Sequence, residues 1–358
     1  MTLSLNCAYN RKDRDQMSEK NSKMRQEILE IPDAVDRLLS TGADNIRAAA
    51  QSVRDTDPRF LISVARGSSD HACSYLKYAS ELLLGLPVAS VGPSVSSIYG
   101  VDLRAKGSVC LSISQSGQSP DIVGLTGSLR NSGALTIAVT NNSESRLADV
   151  ADAVLPLHAG PELSVAATKT FVTSLVSGLW LLAEVKEDAE LIAAIQSLPE
   201  YLARAAHCDW SAAAETITGR SLFTLGRGPS YAISDEAALK IKETCQIHAE
   251  SYSAAEVLHG PVSIVEEGFS VISFAANDAA EQATADAADA LAEKGAAVFA
   301  TTTKVTRAQA LPVVRTDHWI TDPITAITSF YSMVEAVASA RGIDPDAPRH
   351  LKKVTETV

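Results

Sequence analysis

Short apolar runs recur along the chain, each closing on a loop of small or hydroxyl residues and followed by a stretch with helical spacing. Runs at Phe60–Ala65, Val88–Val91, Ser108–Ile113, Leu135–Val139 and Ala153–Pro156 read as buried strands. Helical patterns fill the intervals at Asp70–Leu84, Asp121–Asn131 and Ser145–Val150 and resume after Thr168, while Met24–Leu39 and Ala43–Asp55 read as helices in front. The pattern then starts again. Ser221–Leu225 leads into Gly226-Arg227-Gly228-Pro229-Ser230 much as Leu61–Ala65 leads into Arg66-Gly67-Ser68-Ser69. A helix at Ile233–Cys245 corresponds to Asp70–Leu84. Strands follow at Ser270–Phe274, Ala297–Ala300 and Leu311–Val314, and Ile324–Arg341 closes the series. Two halves of one βα order, joined near residues 190–215, predict an α/β protein of two tandem three-layer sandwiches, each with a parallel sheet. Ligands of such sheets sit at the carboxyl ends of the strands.

Ser114-Gln115-Ser116-Gly117-Gln118-Ser119 lies at such an edge, directly after Val109–Ile113. Pro120 and Asp121 then open a helix, with Pro in the first turn. Hydroxyls, free backbone N–H groups and the positive end of a helix dipole are what a phosphate monoester requires. The loop holds no Lys, so it differs from the nucleotide-binding type that pairs a Lys with a metal. A small phosphorylated metabolite is the expected cargo.

Charge narrows the partners. The chain has 31 basic and 43 acidic residues, a formal net charge of −12, which argues against nucleic acid or an anionic membrane as main partner. Apolar residues make up 46%, enough for sizeable cores in 358 residues. The five cysteines, Cys7, Cys73, Cys110, Cys208 and Cys245, are scattered and form no CxxC pair. They suit a reducing cytoplasm and suggest neither zinc nor disulfides. Residues 1–23 are polar and turn-prone, expected to be poorly ordered, and lack a signal peptide's apolar core. Phe171–Val185 is apolar but short of a bilayer span, and reads as a buried helix.

Four blocks taken together resemble the sugar isomerase (SIS) family: Ala65–Ala72, the Ser114–Ser119 loop, Ala237–Pro261 (AALKIKETCQIHAESYSAAEVLHGP), and Pro348-Arg349-His350-Leu351-Lys352-Lys353, with a weaker fifth at Glu162–Lys169 (ELSVAATK). The amino-sugar branch is the part resembled: the isomerase half of glucosamine-6-phosphate synthases and the glucosamine-6-phosphate deaminases of the same fold. The resemblance implies flavodoxin-like sandwiches, with SIS domains over 24–195 and 196–341 and a tail, 342–358, that contributes to the active site. It implies no cofactor and no metal. It implies a homodimer in which His259 reaches the site of the neighbouring subunit.

The resemblance also assigns roles. Glu243 would move a proton between sugar C1 and C2, as an aldose–ketose interconversion demands; on spacing alone it equally suits an ion pair with Lys240 on a helix surface. Lys240, one turn earlier, would assist proton transfer or stabilise developing charge on oxygen. His259 would open the pyranose ring. Lys353 would form a Schiff base at C2 and exchange it with ammonia, Lys352 being its neighbour and competitor. Gly67, Ser68, Ser69, Ser114, Gln115, Ser116, Gly117 and Ser119 would hold the phosphate. Val165 would contact the sugar through its backbone. Ala167 stands where the synthases carry Ser, which leaves one sugar contact unassigned. His248 and Glu250 read as structural hydrogen-bonders, and Arg66 and Asp70 receive no role.

A glutamine-hydrolysing synthase would carry a catalytic Cys just after its initiator Met and a further domain before the sugar site. Residue 2 here is Thr, so the expected reaction uses no glutamine: glucosamine 6-phosphate and water give fructose 6-phosphate and ammonia. A galactosamine-6-phosphate deaminase or a fructosamine-6-phosphate deglycase would use the same groups. A non-catalytic sugar-phosphate-binding regulator ranks below both.

Overall fold

A computed structural model describes residues 22–353. The expectation for residues 1–23 falls outside these except at Ser22 and Lys23, as do Cys7 and the last five residues of the tail. Among the described residues, ten strands form two sheets: β1 (Leu61–Val64), β2 (Val88–Ser90), β3 (Val109–Ile113), β4 (Leu135–Thr140) and β5 (Ala153–Pro156), then β6 (Ser221–Gly226), β7 (His248–Ser253), β8 (Ser270–Ser273), β9 (Ala297–Ala300) and β10 (Gln309–Ala310). The first sheet runs β2-β1-β3-β4-β5 and the second β7-β6-β8-β9-β10, with every pairing parallel. This is one strand order used twice, the flavodoxin-like order, whose reversal point lies between the first and third strands.

Four long helices connect the halves: α1 (Ser68–Leu84), α2 (Lys169–Lys186), α3 (Pro229–Lys240) and α4 (Asp322–Ala340). The largest core cluster runs through them, from Met24 and Tyr75 through Trp180 and Ile241 to Phe330 and Ala338, so the two sheets share an apolar interior. Smaller clusters around Ile122 and Leu125, and around Phe223 and Leu291, cover the outer faces. Helix α2 is buried for most of its length, as Phe171–Val185 predicts. Among the described residues no helix is long and apolar enough to cross a membrane.

The structure departs from the sequence reading in four places. Met24–Leu39 is two helices, Lys23–Leu29 and Ile31–Thr41, because Pro32 has no N–H for the carbonyl one turn back. The strand expected at Leu311–Val314 is displaced to Gln309–Ala310. Leu311 still donates to the Ala300 carbonyl, but Pro312 cannot continue the ladder. Strand β7 was not expected at all: as an edge strand paired only with β6, it needs no apolar run. Finally, the helix expected to reach Cys245 ends as an α-helix at Lys240 and widens into one π-helical turn, Ile241–Cys245. Glu243 lies in that turn, and such turns concentrate at functional positions.

The duplication extends to backbone angles. Gly67 precedes α1 with φ 56° and ψ −134°, and Gly228 precedes α3 with φ 58° and ψ −137°. A Cβ at either would meet nothing within 4 Å, so left-handed backbone rather than crowding calls for glycine.

Candidate active site

The loops after β1 and β3 meet at the reversal point of the first sheet. In the second loop, the Ser114 Oγ accepts the Gly117 N–H at 3.1 Å and the Ser116 Oγ accepts that of Gln118 at 3.3 Å. The Gln115 carbonyl accepts the Asn141 N–H, which fixes the loop to the end of β4. Gly117 is obligatory: φ is +64° and a Cβ would lie 2.1 Å from the Ser145 Oγ. Ser119 precedes the helix Pro120–Asn131, and its side chain makes no capping bond. Arg66 now has a role. Its Nε pairs with the buried Asp121 Oδ2 at 2.7 Å, bracing the first loop against the helix that follows the second.

Helix α3 packs along α1 and delivers a charged cluster to this edge. The Lys240 ammonium is fully buried. It donates to the Ser68 Oγ at 3.0 Å, lies 3.3 Å from the Glu236 Oε1, and pairs with Glu243. The Glu236 Oε2 meets the His71 Nδ1 at 2.9 Å, and Tyr331 on α4 donates its phenol to the Glu236 Oε1 at 3.1 Å. Burial pushes the Glu236 carboxyl up, but Lys240 and His71 outweigh it and hold the pKa below the ordinary carboxylate value. Burial pushes Lys240 down, and Glu236 and Glu243 outweigh that to hold it above the ordinary lysine value. Lys240 and Glu243 therefore do form an ion pair, but not a surface one. Of its two carboxylates, Glu236 is sealed off and Glu243 is 20% exposed.

The tail brings a second amine. The Lys353 Nζ donates to the Ser164 carbonyl at 2.5 Å and lies 3.2 Å from the Glu162 Oε2. Glu162 is buried, and accepts the N–H groups of Thr168 and Thr170 and the Thr170 hydroxyl. Burial drives the Tyr331 pKa far up, and the negative charges of Glu236, Glu162 and Glu243 add to it. The Val165 N–H is taken by the Asp346 carbonyl, and the Asp346 carboxylate accepts the N–H groups of Lys23 and Met24. Around the hydroxyl-free Ala167, the buried Ser164 and Thr168 hydroxyls have no partner among the described residues. Lys352 is exposed and makes no such contact.

His259 stands apart. It ends a short 3-10 turn, Val257–His259, is exposed, and is joined to the Glu243 cluster by no hydrogen bond among the described residues. His248 and Glu250 make local bonds, to Ser221 and from Tyr252 respectively. Sequence reasoning gave no role to Glu236, His71, Tyr331 or Glu162. The signals available were the place of His71 and Glu162 inside two of the resembling blocks and that of Glu236 a turn before Lys240.

Comparison with known proteins agrees with this architecture. The SIS domain model matches residues 56–184 and 217–340. A glutamine–fructose-6-phosphate aminotransferase (isomerizing) of Sulfurisphaera tokodaii is 32% identical over 337 residues, covering 92% of this chain; the chain spans 56% of that protein's length. A crystal structure from Silicibacter pomeroyi DSS-3, provisionally designated a phosphosugar isomerase, is 61% identical. It covers 91% of this chain and 100% of its own, with a TM-score of 0.89. A glucosamine-6-phosphate deaminase of Thermotoga maritima shares the fold, at 21% identity, a TM-score of 0.76 and coverage of 94% and 100%.

Proposed function

The chain belongs to the SIS domain family, and from that premise we propose that it is a sugar-phosphate isomerase acting on an amino sugar, converting glucosamine 6-phosphate and water into fructose 6-phosphate and ammonia. One observation carries the reading. A fully buried amine, Lys240, pairs with the partly open Glu243 carboxylate and donates to Ser68 in the loop after β1, which supports a charged centre at the edge where a phosphate would bind.

In this reading the phosphate sits on the hydroxyls of Ser69, Ser114, Ser116 and Ser119 and on the N–H groups opening the adjacent helices. Ring opening frees the C1 aldehyde. Glu243 takes the proton from C2 and returns it to C1, while the C1 oxygen gains a proton and C2 becomes an imine. Lys240 stabilises the negative charge that develops on oxygen between these transfers. The Lys353 amine attacks C2, ammonia leaves, and water hydrolyses the lysine imine to the ketone. This direction consumes no glutamine.

Adding the protein to glucosamine 6-phosphate without glutamine is expected to release ammonia and fructose 6-phosphate in equal amounts. Borohydride added during turnover should trap the sugar on Lys353, with a mass increment absent from Lys353→Ala. A second reading, plain aldose–ketose isomerisation, is favoured by the designation of the 61% identical structure. Isomerisation with no ammonia from glucosamine, galactosamine or fructosamine 6-phosphates would decide for it.

Ring opening is assigned to His259 of the partner subunit in a homodimer. Mixing inactive His259→Ala and Glu243→Gln chains is then expected to restore up to about one quarter of wild-type turnover, since re-associated mixed dimers hold one intact site. No recovery on mixing would place His259 in its own chain's site or outside catalysis.

A further inference from the structure

The second sheet has a reversal point too, between β6 and β8, and a cavity of about 820 Å³ lies there. That volume is in the range of small-molecule sites, and the location is where open parallel sheets bind ligands. The cavity is the counterpart of the candidate active site by internal duplication. Arg227, Gly228 and Pro229 line it where Arg66, Gly67 and Ser68 edge the first site. Asn277, Asp278, Ala279 and Ala280, after β8, take the place of the serine loop after β3. The helix exchange is reciprocal. Just as α3 and the π turn that continues it carry Lys240 and Glu243 to the first edge, α1 carries Tyr78 and Leu82 to the second, and Leu82 stands as far beyond Gly67 as Glu243 beyond Gly228.

The chemistry of the copy differs throughout. Leu82 replaces the carboxylate, the loop has no hydroxyl, and Trp319 joins Tyr78 as an aromatic wall. Glu256 and Asp278 set two carboxylates against one guanidinium, Arg227, an unfavourable balance for a phosphate. The Asp278 Oδ1 accepts the Ala280 N–H at 2.8 Å, but other polar groups of the cavity are uncommitted. Arg227 makes no ion pair among the described residues, whereas its counterpart Arg66 is tied to Asp121. The Tyr78 hydroxyl and the Trp319 indole N–H likewise make no hydrogen bond there, while Trp180 and Trp210 both do.

We propose that this cavity is a second small-molecule site, for a ring-bearing amine without phosphate such as a free aminohexose. The ring lies against Trp319, Tyr78 and Leu82, and the ammonium meets the aromatic face and the carboxylates of Glu256 and Asp278. The inference rests on the duplicated fold and this cavity, not on the proposed reaction.

Calorimetric titration of the full chain with free glucosamine tests it. Saturable binding of one molecule per chain is expected. Leu82→Arg should weaken it about tenfold or more by setting a like charge against the amine. Leu82 is 58% exposed, so the substitution is not expected to disturb folding. Asp278→Asn should weaken binding in the same direction, and Ser116→Ala, in the other site, should leave it unchanged. Glucosamine 6-phosphate binding should survive Leu82→Arg. Absence of saturable glucosamine binding overturns the proposal, as does equal binding by wild type and Leu82→Arg. A change of oligomeric mass in Leu82→Arg also overturns it, by assigning the cavity to contact between chains. All readouts are binding or mass, so failure of the deaminase reading would leave the result interpretable.

Discussion

Glu243→Gln is expected to lower kcat for glucosamine 6-phosphate by about 10²–10⁴-fold, the usual contribution of a positioned general base, with KM little changed. Both oxygens of Glu236 are engaged, one by Lys240 and Tyr331 and the other by His71, and its side chain is sealed from solvent. Glu243 shares only Lys240 and keeps a fifth of its surface open. It is therefore the carboxylate able to face two adjacent sugar carbons. The π turn aids this by letting Glu243 leave the ideal helical path while Lys240 stays in the buried row. Glutamine keeps the shape and loses the proton acceptor, so phosphate affinity should match wild type, with Glu236 left as the counter-charge of the buried Lys240. A direct readout is exchange of the C2 hydrogen in deuterated water, which should vanish with turnover. Near-normal exchange would remove Glu243 from the proton shuttle.

The sequence made the scaffold legible because burial on both faces of a parallel sheet forces apolar runs. Most of the strand runs coincide with observed strands for this reason. Strand β7 escaped the rule because it pairs on one side only, and alternation of Ala249 with polar neighbours satisfies an edge. The serine loop and the Arg-Gly turns were legible because a tight turn and a close approach restrict residue type locally. Glu236 was not. Its meaning depends on His71 and Tyr331, which arrive from distant positions on two other helices, and no local pattern separates a buried helical carboxylate from an exposed one. Arg66 likewise acquires meaning only through Asp121, across the reversal point. Local chemistry was readable before folding, whereas charge compensation is a property of the packed helices.

That compensation predicts the largest effect on stability. Lys240→Met should cost about 3–5 kcal/mol, because it strands the buried Glu236 carboxylate without its cation. A surface ion pair in the same spacing would cost about 1 kcal/mol or less, so the size of the loss discriminates the two. Adding Glu236→Gln to Lys240→Met should recover most of the loss, since two neutral side chains need no mutual compensation. The pH dependence has a definite sign. In the wild type Glu236 is held below its ordinary value of 4.5, so its contribution is complete above that value and is lost as pH falls through the folded pKa. Lys240, held above its ordinary value, loses its contribution only as pH rises through its own folded pKa. In Lys240→Met burial prevails and raises the Glu236 pKa, so the protonated carboxyl suits the interior and stability improves as pH falls from neutral. The gap between variant and wild type, measured by denaturant unfolding, should therefore narrow steadily from about pH 7 to pH 5. A small gap that ignores pH would mean that Lys240 does not compensate a buried charge, and would unseat the cluster on which the proposed site is built.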